Sequence, residues 1–299
     1  MRDTPLSLNE EEHSQSLLSH GKRADGRELS QTRPLTMVVG PANGHVECCL
    51  GNTRILAVVT ATLEEPLPQR PTEGFFNVFV ELSSMAGPEF IHTRSGTLST
   101  EIARIIDRGL RESNAIDVEN LCVNAASHVW SVRCALNVLD HDGNLIDACN
   151  AAAVAALMHF RRPECTMQQG GAITVHDPKE RLPLSLGIHH IPICLSFGLW
   201  DGGNGKTAAA SVTASSSSEQ QLLLLDPTRH EQSICSGSMT ITANQFEEIC
   251  SWHKSGGIPI AGELLLTAAD EAAMLAKKWC LQIQKAVEKS TNTLQSGWN

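Results

Sequence analysis

SGTLSTEIARIIDRGLRES, residues 95–113, marks the point where the periodicity of the chain changes. Leu98, Ile102, Ile105, Ile106 and Leu110 fall on one stripe of an α-helix, and Ser95 is placed to cap it. Opposite that stripe, Arg104, Arg108 and Arg111 stand at i, i+4 and i+7, with Arg94 just ahead of the helix. Such a row is either a solvated face, with Glu101 and Asp107 at hand to pair with it, or a set of guanidinium groups that grips phosphates. Upstream the pattern is that of strands: Leu35 to Val39, His45 to Leu50, Arg54 to Thr62 and Phe75 to Leu82. The turns PANG and GNT separate the first three, as hairpins require. Downstream, a strand pair is expected across Cys122 to Leu139, broken near Ala126-Ser127. The DHDGN turn comes next, then an alanine-rich buried helix from Asp147 to Phe160 that stops before Pro163.

The rhythm then repeats. Strands are predicted near Ala172 to Val175, Ile188 to Trp200, Gln221 to Asp226 and Ser238 to Thr242, followed by a helix from Asn244 to Trp252. A closing helix from about Gly262 to Lys289 carries Leu264, Ala268, Ala272, Leu275, Trp279, Ile283 and Ala286 as one stripe. Duplicated strand-strand-helix halves with mixed and antiparallel sheets and packed helices give an α+β class. The expected organisation is an N-terminal extension, 1–21, with one exposed helix, a single domain over 22–290, and a C-terminal tail, 291–299. The two halves of that domain cover about 22–163 and 164–290. Residues 201–220, DGGNGKTAAASVTASSSSEQ, hold too little apolar surface to offset their ordering entropy and read as a disordered hairpin insertion.

The chain has 299 residues, 41% hydrophobic, with 23 Lys+Arg against 33 Asp+Glu and a net charge of −10. That composition fits a soluble globular protein and is wrong for one that holds nucleic acid by overall charge, so any RNA role must be local or shared. No membrane span is expected, since the best apolar run, Ala151 to Met158, stops at His159. The polar opening does not read as a secretory signal. Ten cysteines without a CxxC read as reduced, mostly buried thiols of a cytosolic or nuclear protein, and neighbours Cys48 and Cys49 should face opposite sides of a strand.

Several constellations have bland readings. His189 and His190, on a probable strand, point apart and do not make one metal site. Asp140, His141, Asp142 and Asp147 form either a cluster with chemistry or, as Asp142-Gly143 suggests, a turn with Asp147 as the next helix's cap. No Ser lies in a GxSxG, and Ser255-Gly256-Gly257 reads as a loop between helices, not a phosphate loop.

Four blocks in order are more specific: Arg23-Ala24-Asp25-Gly26-Arg27, Leu50 to Leu56 (LGNTRIL), Glu101 to Arg111 (EIARIIDRGLR), and Trp130 to Arg133 running into Val138 to Ala148 (VLDHDGNLIDA). From about residue 21 to 290 they resemble the RNase PH family, and within it the ring subunits of the eukaryotic RNA exosome. The family's chemistry is phosphorolytic trimming of RNA from the 3′ end, which needs cations at the phosphate and acids for metal binding or proton handling. Laying the family's Leu-Asp-Leu-Asp-x-x-x-Asp over Leu225 to Gln232 keeps one acid at Asp226 and puts Thr228 and Gln232 where the other two would stand. Where active members place an arginine after the Asp-Gly turn, this chain has Ile146. The resemblance therefore implies a catalytically inactive homologue with no resident cofactor or metal. A one-residue slip of the alignment would let Glu231 stand in for an acid. By the same resemblance Arg104 and Arg108 guide RNA, with Arg111 and Arg94 beside them.

The expected partners are other RNase PH-like ring subunits, cap subunits with RNA-binding folds, a processive 3′-to-5′ exonuclease and single-stranded RNA in a shared channel. The expected locations are nucleus, nucleolus and cytoplasm. The rival expectation is an active phosphate-dependent exoribonuclease.

Overall fold

The computed structural model describes residues 7–87, 90, 96–125, 127–167, 173–177, 180–201 and 221–298, the side chains of Met167 and of residues 291–298 aside. It opens with α1 (Leu8–Ser19), started by a reciprocal capping box between Ser7 and Glu10. Leu18 is buried against Trp200, Leu224 and Ile234, so the helix is docked and not a free appendage.

The first sheet is built from β1 (Leu35–Val39), β2 (His45–Leu50), β3 (Thr53–Glu64), β4 (Phe75–Leu82), β5 (Cys122–Asn124) and β6 (His128–Asp140). Its order is β1-β2-β3-β6-β4, with β5 also paired to β6. All pairings are antiparallel except β4 with β6. Alternation sets the register: Thr53, Ile55, Ala57 and Val59 are buried while their neighbours face outward. Cys48 is buried and Cys49 is not, as the strand's two faces demand.

Between β4 and β5 lies α2 (Thr97–Asp107), which buries Ile102, Ile105 and Ile106. Its N-cap is Gly96, which offers no side-chain cap, whereas Ser95 was the expected cap; Arg94 and Ser95 lie outside the described residues. The helix passes into a π turn at Arg108–Glu112. After β6 comes α3 (Leu145–His159), buried nearly throughout because it packs on β2, β3 and β6 on one side and on the second sheet on the other. Its cap is Asn144, not Asp147; Asp147 is a fully buried first-turn residue.

Short pairs follow: β7 (Arg161–Arg162) with β10 (Leu184–Ser185), and β8 (Cys165–Met167) with β9 (Ile173–Val175). His189 and His190 precede the next strand and are not part of it. The second sheet has the order β12-β11-β13-β14, formed by β11 (Ile193–Trp200), β12 (Leu222–Leu225), β13 (Gly237–Ala243) and β14 (Ile249–Lys254), with α4 (Arg229–Ile234) after β12. Apart from Asp201, the insertion at 201–220 lies outside the described residues.

The helix expected from Asn244 to Trp252 is a hairpin instead. Phe246, Ile249 and Trp252 recur every three residues and imitate a helical stripe. The Asn244 Oδ1, however, accepts from the N–H groups of Phe246 and Glu248, at 2.9 Å each, and Glu247 takes a φ of 67°. That is the local competition with helix formation that Asn offers. Ser255-Gly256-Gly257 accordingly joins a strand to a helix, α5 (Gly262–Trp298). α5 runs well past Lys289 and packs on α3, β1, β11 and β13, burying Ala268, Ala272, Ala276, Trp279 and Ile283. Among the described residues no helix is long and apolar enough to cross a membrane.

Candidate functional site

At the end of β12 the backbone turns at Asp226, whose φ is 50°. The turn sends its carboxylate inward, where it is fully withdrawn from solvent. Oδ1 accepts from Arg33 Nη2 at 2.8 Å and from Asn144 Nδ2 at 2.7 Å. Oδ2 accepts from the Arg33 backbone N–H at 2.8 Å, from Arg33 Nε at 3.0 Å and from Arg27 Nη1 at 3.2 Å. A carboxylate has about four lone-pair directions, so these donors saturate it. Burial pushes the Asp226 pKa up, but the hydrogen bonds and charge of Arg33, with help from Asn144, bring it below the ordinary aspartate value.

The neighbouring residues are equally engaged. Thr228 caps α4, its hydroxyl accepting from the Glu231 N–H while Glu231 Oε2 accepts from the Thr228 N–H at 2.8 Å. Glu231 is buried and held by Arg23, Nε to Oε1, at 2.9 Å. Arg23 also donates to the carbonyls of Leu225 and Asp226, at 2.7 and 2.9 Å. The KRADGR turn is thus a clamp around the end of β12. Among the described residues no three His, Cys, Asp or Glu side chains converge as metal ligands. A divalent cation does not fit: Asp226 has no lone pair to give, Glu231 is neutralised, and Thr228 and Gln232 carry no charge.

Ile146 and Gln232 do come together. With Leu98, Phe197, Pro227 and His253 they line a pocket of about 200 Å³, outside whose wall Asp226 remains. His141, also in the wall, has its pKa pushed down to about 4 by burial and then by the charge of Arg229, so it is neutral near pH 7. Asp147 lies deeper. Burial raises its pKa to about 7 against hydrogen bonds from Ser196 Oγ (2.7 Å), Ser196 N (2.8 Å) and Asn144 Nδ2 (2.7 Å).

The arginine row divides between two grooves that share Arg104. Arg104 and Arg108 line an open groove of about 540 Å³ with Thr97, Thr100, Glu101 and His253. Arg104 is exposed and makes no ion pair among the described residues. Arg108 meets Glu112 at 3.4 Å with both side chains at least half exposed, a contact worth little in water. Arg111 is used differently: it pairs with Asp107 at 2.6 Å and donates to the Phe76 carbonyl of β4 at 3.0 Å. A π turn takes more residues per turn than an α-helix, yet Arg111 still lines a second groove, against β4, together with Arg104. The sequence reading missed the roles of Arg33, Arg27 and Asn144, because nothing local to them announces Asp226, which lies 193, 199 and 82 residues away.

Residues 31–163 match the model of the 3′ exoribonuclease family, domain 1, and residues 190–273 that of domain 2. The chain belongs to the RNase PH family. This RNase PH chain is 41% identical over 285 residues to exosome complex component RRP45A of Arabidopsis thaliana, covering 95% of this chain and 87% of that protein. It is 36% identical over 300 residues to exosome complex component RRP45 of Homo sapiens, covering 99% of this chain and 64% of that relative. A chain of the Archaeoglobus fulgidus exosome, solved with RNA bound to the active site, superimposes with a TM-score of 0.75 at 27% identity, over 92% of this RNase PH chain and 97% of that one.

Proposed function

We propose that this chain is a non-catalytic structural and RNA-guiding subunit of an exosome core ring, supporting 3′-to-5′ RNA processing and degradation by an associated exonuclease. The observation that carries the reading is the inward turn of Asp226 onto Arg33, Arg27 and Asn144, which takes this acid out of use while Arg104 stands open beside Arg108. The names of the relatives support membership of such an assembly. In it, residues 22–290 form the ring domain, flanked by RNase PH-like neighbours, with cap subunits on one face and a processive exonuclease on the other. A heterologous contact between like folds closes into a ring when its rotation allows. Arg104 and Arg108 hold phosphates of single-stranded RNA without reading sequence, and a few placed charges suffice on an acidic chain. The assembly works in nucleus, nucleolus and cytoplasm.

The test is incubation of the purified chain with single-stranded RNA, inorganic phosphate and magnesium. No nucleoside diphosphate is expected; its release in a phosphate-dependent manner would establish the phosphorolytic rival.

A further inference from the structure

The pocket beside the arginine groove has no task in the reading above. It is continuous with the groove, since Glu101 and His253 line both, and Glu101 lies only about 4.5 Å along the axis of α2 from Arg104. Among the described residues no lysine or arginine lines it to hold an anion, and Ile146 gives part of its wall an apolar face. What remains is an apolar slot at Leu98 and Ile146, backed by the fully buried Phe197, with the Gln232 amide and the Ser238 hydroxyl at its edge. Leu98 belongs to the apolar stripe of α2 yet stays 41% exposed, because it opens onto this slot. The exposed Gln232 side chain has no hydrogen-bond partner among the described residues. Asn144, also in the wall and 1% exposed, keeps its Oδ1 buried and unpartnered.

We propose that this pocket binds one base of a single-stranded RNA whose neighbouring phosphates rest on Arg104 and Arg108. A base is neutral, flat and apolar on its faces and carries donors and acceptors on its rim. Aliphatic walls with a rotatable amide at the edge suit that chemistry. A charged phosphate and an uncharged ring then find adjacent sites of matching character on one helix. The inference rests on the RNA-guiding reading of the two arginines.

The experiment uses the full chain with two strands of ten units, oligouridylate and an abasic ribose-phosphate of equal length. Oligouridylate is expected to bind about tenfold more tightly, in line with what base contacts contribute in single-strand sites. Ile146→Phe, which fills the slot, should abolish that difference, and its melting temperature reports whether the fold survives. Independently of any variant, 4-thiouridine in the oligomer should photocrosslink to a peptide containing Leu98, Ile146 or Phe197. Equal affinity of the wild-type chain for the two strands, or crosslinks confined to other peptides, overturns the base pocket. If Arg104→Ala/Arg108→Ala weakens both strands while the two bind alike, the guiding role stands and only the pocket falls. If that double variant binds as the wild type does, the guiding role falls as well.

Discussion

Arg33 holds Asp226 through two side-chain hydrogen bonds, Nη2 to Oδ1 at 2.8 Å and Nε to Oδ2 at 3.0 Å, joining the N-terminal segment to the end of β12 across 193 residues. Asp226 thus serves as a structural counter-ion, and the arginine's reach to the carbonyls of Asp142 (2.8 Å) and Gly143 (3.2 Å) ties the β6–α3 turn into the same knot.

Removing one partner of a buried pair leaves an uncompensated charge, so Asp226→Asn should cost about 3–5 kcal/mol in urea unfolding. The pH dependence follows from the lowered carboxyl value. A folded-state pKa below the unfolded one gives stability that is complete above the unfolded value, about 3.9, and is lost as pH falls through the folded one. The wild-type chain should therefore lose this stability below about pH 4, and the variant, already without it, should show a flatter acid limb. Parallel acid limbs in the two proteins would refute the pairing.

Asp147 acts in the opposite sense. Its folded pKa is raised to about 7, so between about pH 4 and pH 7 the folded chain keeps a proton that the unfolded chain has lost, and stability falls as pH rises across that window. His141, pushed down to about 4, opposes it: the unfolded chain holds the proton there, so that contribution makes stability rise with pH. The readout is thus a difference. The melting temperature of the wild type minus that of Asp147→Asn should decrease from pH 5 to pH 7.5; a constant difference would show that Asp147 does not titrate in that range.

The first sheet was legible because its strands alternate cleanly: the ends of β1, β2 and β4 fall where the sequence pattern puts them. The buried character of α3 was equally plain from its alanines. The hairpin at Asn244 was not, since a three-residue recurrence of Phe246, Ile249 and Trp252 fits a helix until the Asn244 side chain is seen closing a turn. At the site, that Thr228 and Gln232 carry no charge could be read from residue types alone. The fate of Asp226 could not, because its partners Arg33 and Asn144 come from distant segments and only the fold brings them together. Likewise the i, i+4, i+7 row assumed a regular helix with three equivalent arginines, whereas Arg111 follows in the π turn at Arg108–Glu112 and is tied to Asp107 and the Phe76 carbonyl.

Gly143 makes the knot possible. Its φ is 89°, and a Cβ there would stand 2.4 Å from the Arg229 backbone nitrogen and 2.6 Å from the Thr228 carbonyl carbon. Gly143→Ala should destabilise the chain by more than the ~1–3 kcal/mol of a strained backbone conformation. Gly26, with φ 78° and nothing within 4 Å of its would-be Cβ, supplies the control. Gly26→Ala carries the conformational strain without the collision, so equal unfolding free energies for the two variants would contradict the close approach of the β6–α3 turn to α4.

The split arginine row gives the sharpest separation of roles. Each phosphate held by a cation contributes roughly 0.7 to the slope of log affinity against log salt on a single strand. Replacing both Arg104 and Arg108 by alanine should lower oligouridylate affinity and flatten that slope by roughly 1.4, with the melting temperature nearly unchanged, because neither side chain is buried. Arg111→Ala should do the reverse. Its guanidinium bridges Asp107 and the Phe76 carbonyl, so its loss loosens α2 from the edge of β4 and lowers stability by about 1 kcal/mol while leaving the salt slope in place. Should Arg111→Ala flatten the slope as much as removal of Arg104 or Arg108 does, the row acts as one surface and the division between the two grooves has no bearing on RNA.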